Sequence, residues 1–142
     1  MNKEVNKELN NTVPITKGVH HVGLTVAKLE ESARFFVDVL GWSEVRRDLN
    51  YPAIFVKDDA IMVTLWEAKS DSHQEFDKNN PGLHHLALAV KCFDDLDSIY
   101  NSIVEYGLAI EFSPELLRNG PAKHMICYEP SGIRIEFICV PE

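Results

Sequence analysis

The sequence predicts an α+β domain of two modules, each with the order strand, helix and three strands, joined as a curved mixed sheet around a concave pocket. An internal repeat supports this: GVHHVGLTV at residues 18–26 returns sixty-four positions later as GLHHLALAV at 82–90. Each copy alternates in the manner of a strand, and apolar residues at helical spacing follow each copy. Such a repeat indicates two related units that share one core.

Composition limits the classes of protein to which the chain can belong. Its 142 residues, 45% of them hydrophobic, suffice for one domain with a sizeable core. A formal net charge of -8 argues against nucleic acid or an anionic membrane as the main partner. No apolar run approaches the roughly 20 residues of a membrane span, and the polar N-terminal stretch carries no signal segment. We therefore expect a cytoplasmic protein whose three cysteines are reduced.

The first module is predicted over about residues 18–68, after a flexible N-terminal arm at 1–17. A strand over 19–26 is followed by a helix near 29–41, whose apolar residues form one stripe. Gly41 is a plausible end for that helix. Three further strands are predicted over 42–47, 51–56 and 60–66.

The second module is predicted over about residues 82–140, after a polar linker at 69–81, so that 18–140 form a single domain. It repeats the order of the first module. The predicted elements are a strand at 82–90, a helix at 93–106, a short strand at 109–112, a loop at 113–121, and strands at 123–128 and 133–140 around a turn at 129–132. The loop at 113–121 is compatible with a helical turn at 114–117 and could act as a lid over the pocket.

Two histidines stand at the same place in the two copies of the repeat, His21 and His85. By strand alternation His21 shares a face with Gly23 and Thr25. The same alternation puts Glu136 on one face of the last strand with Arg134 and Ile138. We expect His21, His85 and Glu136 to face the concavity. The neighbouring His20 and His84 are expected to point the other way with hydrogen-bonded rings.

These residues resemble one known family. His21 stands five residues before Val26, His85 stands five before Val90, and the stretch 129–136 reads EPSGIRIE, a turn followed by an inward carboxylate. In this order the chain resembles the vicinal oxygen chelate (VOC) superfamily, which includes glyoxalase I, bleomycin-resistance proteins, methylmalonyl-CoA epimerase and extradiol dioxygenases. The resemblance covers roughly residues 18–140 and implies the glyoxalase fold.

The resemblance implies a divalent metal ion held by His21, His85 and Glu136. Our alignment puts Val63 where glyoxalases carry a fourth ligand, while Thr64 would need a register slip and Glu67 shares the face of Val63. Two imidazoles and one carboxylate leave open positions on an octahedral ion. This set favours Fe²⁺ or Mn²⁺, with Zn²⁺ or Ni²⁺ as alternatives, and no organic cofactor is predicted.

Three functions follow as hypotheses. The ligand count favours an enzyme with a dioxygenase-like centre that chelates vicinal oxygens of a small organic substrate. Against it, the tyrosine that extradiol dioxygenases carry ten residues before the glutamate ligand is Ile126 here, and Tyr128 would need a shifted register. The alternatives are a glyoxalase- or epimerase-type lyase or isomerase, and a non-catalytic binding protein of the bleomycin-resistance type.

The candidate catalytic residues are Glu136, His124 and Tyr128. His124 shares strand parity with Ile126, at a pocket-lining position of glyoxalases, and a histidine there could transfer protons near neutral pH. The alternative is a ring paired with a backbone carbonyl. Trp42 and Trp66 are assigned to the core or to the pocket wall. We expect a homodimer, and the sequence leaves open whether the site forms within one chain or across two.

Overall fold

The computed structural model describes residues 13–69 and 74–142. Most of the predicted arm, at 1–12, and residues 70–73 of the predicted linker lie outside the described residues. Residues 13–17 are exposed and belong to no helix or strand. Within the described ranges, no helix is both long and apolar enough to cross a membrane.

Each half of the chain contains a strand, a helical segment and three strands. The first half consists of β1 (His21–Val26), α1 (Leu29–Arg34) with a π-helical turn (Phe35–Val39), β2 (Ser43–Asp48), β3 (Ala53–Lys57) and β4 (Met62–Glu67). The second consists of β5 (Leu86–Ala89), α2 (Phe93–Tyr106), β6 (Ile110–Leu116), β7 (Lys123–Tyr128) and β8 (Arg134–Cys139). The predicted α+β fold of two βαβββ modules is therefore confirmed.

The two modules have the same strand order. In the first sheet this order is β1-β4-β3-β2, and in the second it is β5-β8-β7-β6. The first strand of each module runs parallel to the last, while the other pairs are antiparallel. The strands form two four-stranded sheets rather than the single continuous sheet that we expected, so β1 and β5 are both edge strands.

The two modules share one hydrophobic core. Leu24 and Val26 from β1 belong to the same buried cluster as Leu88 from β5 and Phe137 from β8. The cluster also includes helical residues of both modules, Phe35, Phe36, Leu96 and Ile103. Each sheet thus buries one face in this common core. Because strand side chains alternate, His21 and the Glu136 side of β8 lie on the opposite faces.

The first helix departs from its prediction. After α1, the amide of Leu40 donates to the carbonyl of Phe35, a spacing of five residues, and the segment widens into the π-helical turn. Phe35 and Phe36 are both fully buried. We attribute the wider turn to the packing of these two consecutive rings in the core, which the apolar stripe alone did not reveal.

The bounds of two strands in the second module also differ from the prediction. β5 begins at Leu86 instead of Gly82, and β6 continues to Leu116, so the predicted loop with a helical turn at 114–117 is wrong. Pro114 is tolerated inside β6 because this strand is at the edge of its sheet and its register shifts on both sides of Phe112. The connection to β7 therefore spans only residues 117–122.

Candidate functional site

The second sheet brings His85 and Glu136 together. β5 and β8 pair in parallel with Ala87 opposite Glu136, so His85, two residues before Ala87, shares the glutamate's face. The Nε2 atom of His85 lies 3.6 Å from Oε1 of Glu136. The Glu136 side chain is only 13% exposed, whereas that of His85 is 35% exposed. The largely buried carboxylate of Glu136 therefore faces the more exposed imidazole ring of His85, which has more room to move.

His124 forms a hydrogen bond with the other oxygen of the Glu136 carboxylate. Its ring on β7 lies next to Glu136, with Nδ1 2.7 Å from Oε2, and the ring is buried. Phe112 stacks on the ring at 6.1 Å between centroids. Nε2 of His124 lies 3.6 Å from Oε1 of Glu115. His124 thus shares the face of Ile126 as expected, but its partner is a carboxylate rather than a backbone carbonyl, and it orients Glu136.

His21 is not part of this group. It lies exposed at the start of β1, and its Nδ1 is 2.9 Å from Nδ1 of His20. Within the described residues of one chain, no three His, Cys, Asp or Glu side chains come together in a way that could hold a metal ion. The structure therefore assembles two of the three predicted ligands, His85 and Glu136, and places the third on the other sheet.

The position equivalent to Glu136 in the first module is Thr64. Gly23 of β1 pairs with Thr64, just as Ala87 of β5 pairs with Glu136. The assignment of this position to Val63 was wrong, because Val63 is fully buried on the core side of β4. The hydroxyl of Thr64 accepts a hydrogen bond of 2.9 Å from Nε1 of Trp66. A hydroxyl thus lies where the second module carries its carboxylate.

Tyr128 belongs to a neighbouring polar cluster. Its hydroxyl donates to Oε1 of Glu111 at 2.5 Å, and this bond raises the pKa of the tyrosine. Arg134 binds Oε2 of Glu111 through Nε at 3.1 Å and Nη2 at 2.5 Å. The guanidinium lowers the pKa of Glu111 to about 2. In this structure the hydroxyl of Tyr128 therefore acts as a hydrogen-bond donor to Glu111.

Sequence reasoning did not find Glu111. It lies in a short edge strand with an irregular register, and no motif marks it. Arg134 was placed on the correct face by parity, but its partner comes from a residue twenty-three positions away. Only the pairing of β6, β7 and β8 brings these groups together.

Two cavities lie away from the His85–Glu136 pair. One of about 610 Å³ includes Trp42 and Phe137 in its lining, and one of about 800 Å³ includes Gly23 and Tyr128. Within the described part of the chain, His85, His124 and Glu136 line neither cavity. The carboxylate and its two histidines thus lie outside both of these cavities.

Comparison with known proteins gives the family. The model of the Glyoxalase/Bleomycin resistance protein/Dioxygenase superfamily matches residues 18–137. The chain belongs to this superfamily. The match includes His21, His85 and Glu136, together with both copies of the internal repeat. No curated protein matches the sequence.

Solved structures of the superfamily share the fold. A glyoxylase/bleomycin resistance protein/dioxygenase domain from Frankia sp. EAN1pec has a TM-score of 0.77 and 27% identity, covering 89% of this chain and 94% of that one. The lactoylglutathione lyase of Agrobacterium tumefaciens has a TM-score of 0.69 at 18% identity, with 89% and 96% covered. The fosfomycin resistance protein FosX of Listeria monocytogenes has 0.70 at 18%, with 88% and 94% covered.

Proposed function

We propose that the protein is a divalent-metal-dependent enzyme that binds two neighbouring oxygens of a small organic substrate. The observation that carries the proposal is the pair formed by His85, directly before β5, and Glu136 on β8, with Glu136 oriented by His124. Many metal ligands are held in this way by a second hydrogen-bonded residue. Membership of the superfamily supports the same assignment.

The donor pair fits a metal ion. Bonds of about 2.0–2.2 Å from one nitrogen and one oxygen place the two donors about 3.0 Å apart at a right angle. The observed separation of 3.6 Å therefore needs to shorten by about half an ångström. The partly exposed ring of His85 has room for that movement. An imidazole nitrogen together with a carboxylate oxygen suits Fe²⁺ or Mn²⁺.

We propose that His21 of the partner subunit is the third ligand. The shared core lies between the two sheets, so the face of His21 and the face of His85 point away from each other within one chain. A two-fold homodimer can join these faces and produces two equivalent sites. The open edges of β1 and β5 also favour association with a second copy.

Three protein ligands leave positions for substrate and for dioxygen, and this count favours a dioxygenase. When bound, the metal ion supplies Lewis-acid polarisation of the chelated oxygens. In this chain Glu136 and His124 fix the geometry, while Thr64 and Trp66 form a polar and aromatic wall on the His21 face. A lyase or isomerase is the second candidate, because the Nε2 side of His124 lies away from Glu136 and can exchange a proton.

Subunit mixing tests the site. We expect His21→Ala and His85→Ala homodimers to retain no metal, whereas a co-expressed heterodimer of the two should retain one ion per dimer, measured by elemental analysis after anaerobic purification. The matched control pairs the wild-type chain with the double variant and should retain none. The reverse pattern would show that each site is formed within one chain, and a fully loaded His85→Ala protein would exclude the site.

Oxygen consumption separates the reaction classes. The Fe²⁺-loaded protein is tested against a panel of catechols and against α-hydroxycarbonyl compounds in deuterated water. Uptake of dioxygen with a catechol supports the dioxygenase. Exchange of the substrate's α-proton without dioxygen supports the isomerase. Ligand binding without either reaction supports the non-catalytic alternative.

A further inference from the structure

We infer that Arg134, acting through His84, fixes the tautomer of His85 and so presents the lone pair of its Nε2 atom to the metal. This inference rests on the proposed function. It starts from a chain of contacts that runs across β8 and the residues before β5. Nη1 of Arg134 lies 3.3 Å from Nδ1 of His84, and that nitrogen lies 2.7 Å from Nδ1 of His85.

The chemistry of the three side chains determines where the protons lie. A guanidinium has five N–H donors and no acceptor, so Arg134 can only donate. Nδ1 of His84 must then be the unprotonated nitrogen of its ring. Because that nitrogen also lies 2.7 Å from Nδ1 of His85, the proton between the two rings belongs to His85, and the single lone pair of His84 Nδ1 is shared by the two donors in a three-centre bond. A neutral His85 ring with its proton on Nδ1 has a free lone pair on Nε2.

The free lone pair points at a second acceptor. Nε2 of His85 faces Oε1 of Glu136 at 3.6 Å, a separation beyond hydrogen-bond range. Two acceptors that face each other in this way are not satisfied by each other, and a cation between them satisfies both. A His85 ring with its proton on Nε2 would instead donate to Glu136 and block the site.

Arg134 is held firmly enough to act in this way. The residue is 5% exposed, and two of its nitrogens are bound to Glu111. Glu111 in turn receives the hydroxyl of Tyr128 and lies 3.5 Å from the ammonium group of Lys78. Glu111, with Tyr128 and Lys78 around it, thus holds Arg134 in place, and Arg134 is a positioning residue.

The first module provides an internal comparison. His20 and His21 also approach through their Nδ1 atoms, at 2.9 Å. Met62 stands opposite His21 in the parallel pair of β1 and β4, where extension of the β5–β8 register puts Arg134 opposite His85. Methionine donates no hydrogen bond. The repeat therefore contains one histidine pair with the arginine and one without it.

The test is to record the tautomer of His85 in the metal-stripped, full-length protein by long-range proton–nitrogen NMR. Its signals are assigned by their loss in His85→Gln. We expect the proton on Nδ1 in the wild type and in His84→Asn, whose side-chain oxygen accepts the same two donors. In His84→Leu, and in Arg134→Met, which removes the donor to His84, the proton should move to Nε2. His20→Leu, the matched variant in the other module, should leave His85 unchanged.

Metal affinity gives the second measurement. We expect His84→Leu to weaken Mn²⁺ binding about 10- to 100-fold in calorimetric titration, and His84→Asn to restore binding to within about threefold. A wild-type His85 with its proton on Nε2, or a His84→Leu protein with an unchanged tautomer, would overturn the inference. A wild type that binds no Mn²⁺ or Fe²⁺ would refute the proposed function, and the tautomer measurement would still decide the role of Arg134.

Discussion

At the scale of single residues, Glu136 is the centre of the candidate site because a different histidine lies next to each of its two carboxylate oxygens. His85 approaches one oxygen without reaching hydrogen-bond distance, while His124 binds the other at 2.7 Å. The two histidines therefore have different roles. One is a candidate ligand, and the other orients the carboxylate.

Replacement of His124 tests whether this residue orients the carboxylate of Glu136. His124→Leu removes the hydrogen bond to Glu136 at similar volume, and we expect Mn²⁺ affinity to fall about 10- to 100-fold because the carboxylate loses its orientation. His124→Asn keeps a donor near the position of Nδ1 and should retain most of the affinity. Titration calorimetry of chelator-treated protein measures both. Equal losses in the two variants would contradict the orienting role, and an unchanged affinity with lost turnover would favour proton transfer.

At the scale of elements, the turn between β7 and β8 is fastened to α1. Glu129 in this turn is 2% exposed, and its Oε2 accepts a bond of 2.5 Å from the hydroxyl of Ser32 on α1. Its Oε1 accepts from the amides of Ser131 and Ile133. Ser32 and Glu129 belong to different modules, so this buried carboxylate links the two halves of the chain.

The contribution of this link to the free energy of unfolding should depend on pH. Burial raises the pKa of Glu129 above its ordinary value of 4.5, so the folded protein binds this proton more strongly than the unfolded chain does. The contribution of Glu129 to the free energy of unfolding should therefore fall as pH rises from about 4.5 through the raised pKa. Glu129→Gln cannot titrate. We expect the wild-type free energy of unfolding, minus that of the variant, to decrease over this range.

Urea denaturation of both proteins between pH 4 and pH 8 measures this difference. The control is Glu105→Gln on the exposed side of α2, for which the difference should be flat. A wild type that gains stability over Glu129→Gln with rising pH would show that the hydrogen bonds outweigh burial, contrary to the sign expected here.

At the scale of the whole molecule, the arrangement of the two modules explains why one chain presents its candidate ligands on two separate faces. The modules pack through their apolar faces, and the faces that carry His21 and His85 are both left outside. We propose that a second copy supplies the third ligand, because a two-fold dimer brings the same two faces together twice.

Light scattering checks this arrangement directly. We expect a mass of about 32 kDa at micromolar concentration, twice the 16.1 kDa of one chain. Removal of the metal should shift the dimer towards monomer on dilution, because the proposed ion bridges the two subunits. A mass of one chain for the metal-loaded protein would contradict the proposed site across two subunits.

The sequence by itself determined the modules and most of the strand faces. The repeat at 18–26 and 82–90 predicted two βαβββ units, and the apolar stripe over 93–106 predicted α2 at its observed bounds. Alternation also put His124 on one face with Ile126, and Glu136 on one face with Arg134 and Ile138. These features are local, since a strand repeats every two residues and a helix every 3.6.

Only the tertiary structure decided which faces meet. Parity cannot tell whether two modules join through their histidine faces or their apolar faces, and the burial of large apolar side chains such as Phe36 and Phe137 selects the apolar ones. Parallel pairing with β1 placed Thr64, not Val63, at the position equivalent to Glu136. The contact of Arg134 with His84 joins residues fifty positions apart, so it exists only because β5 pairs with β8.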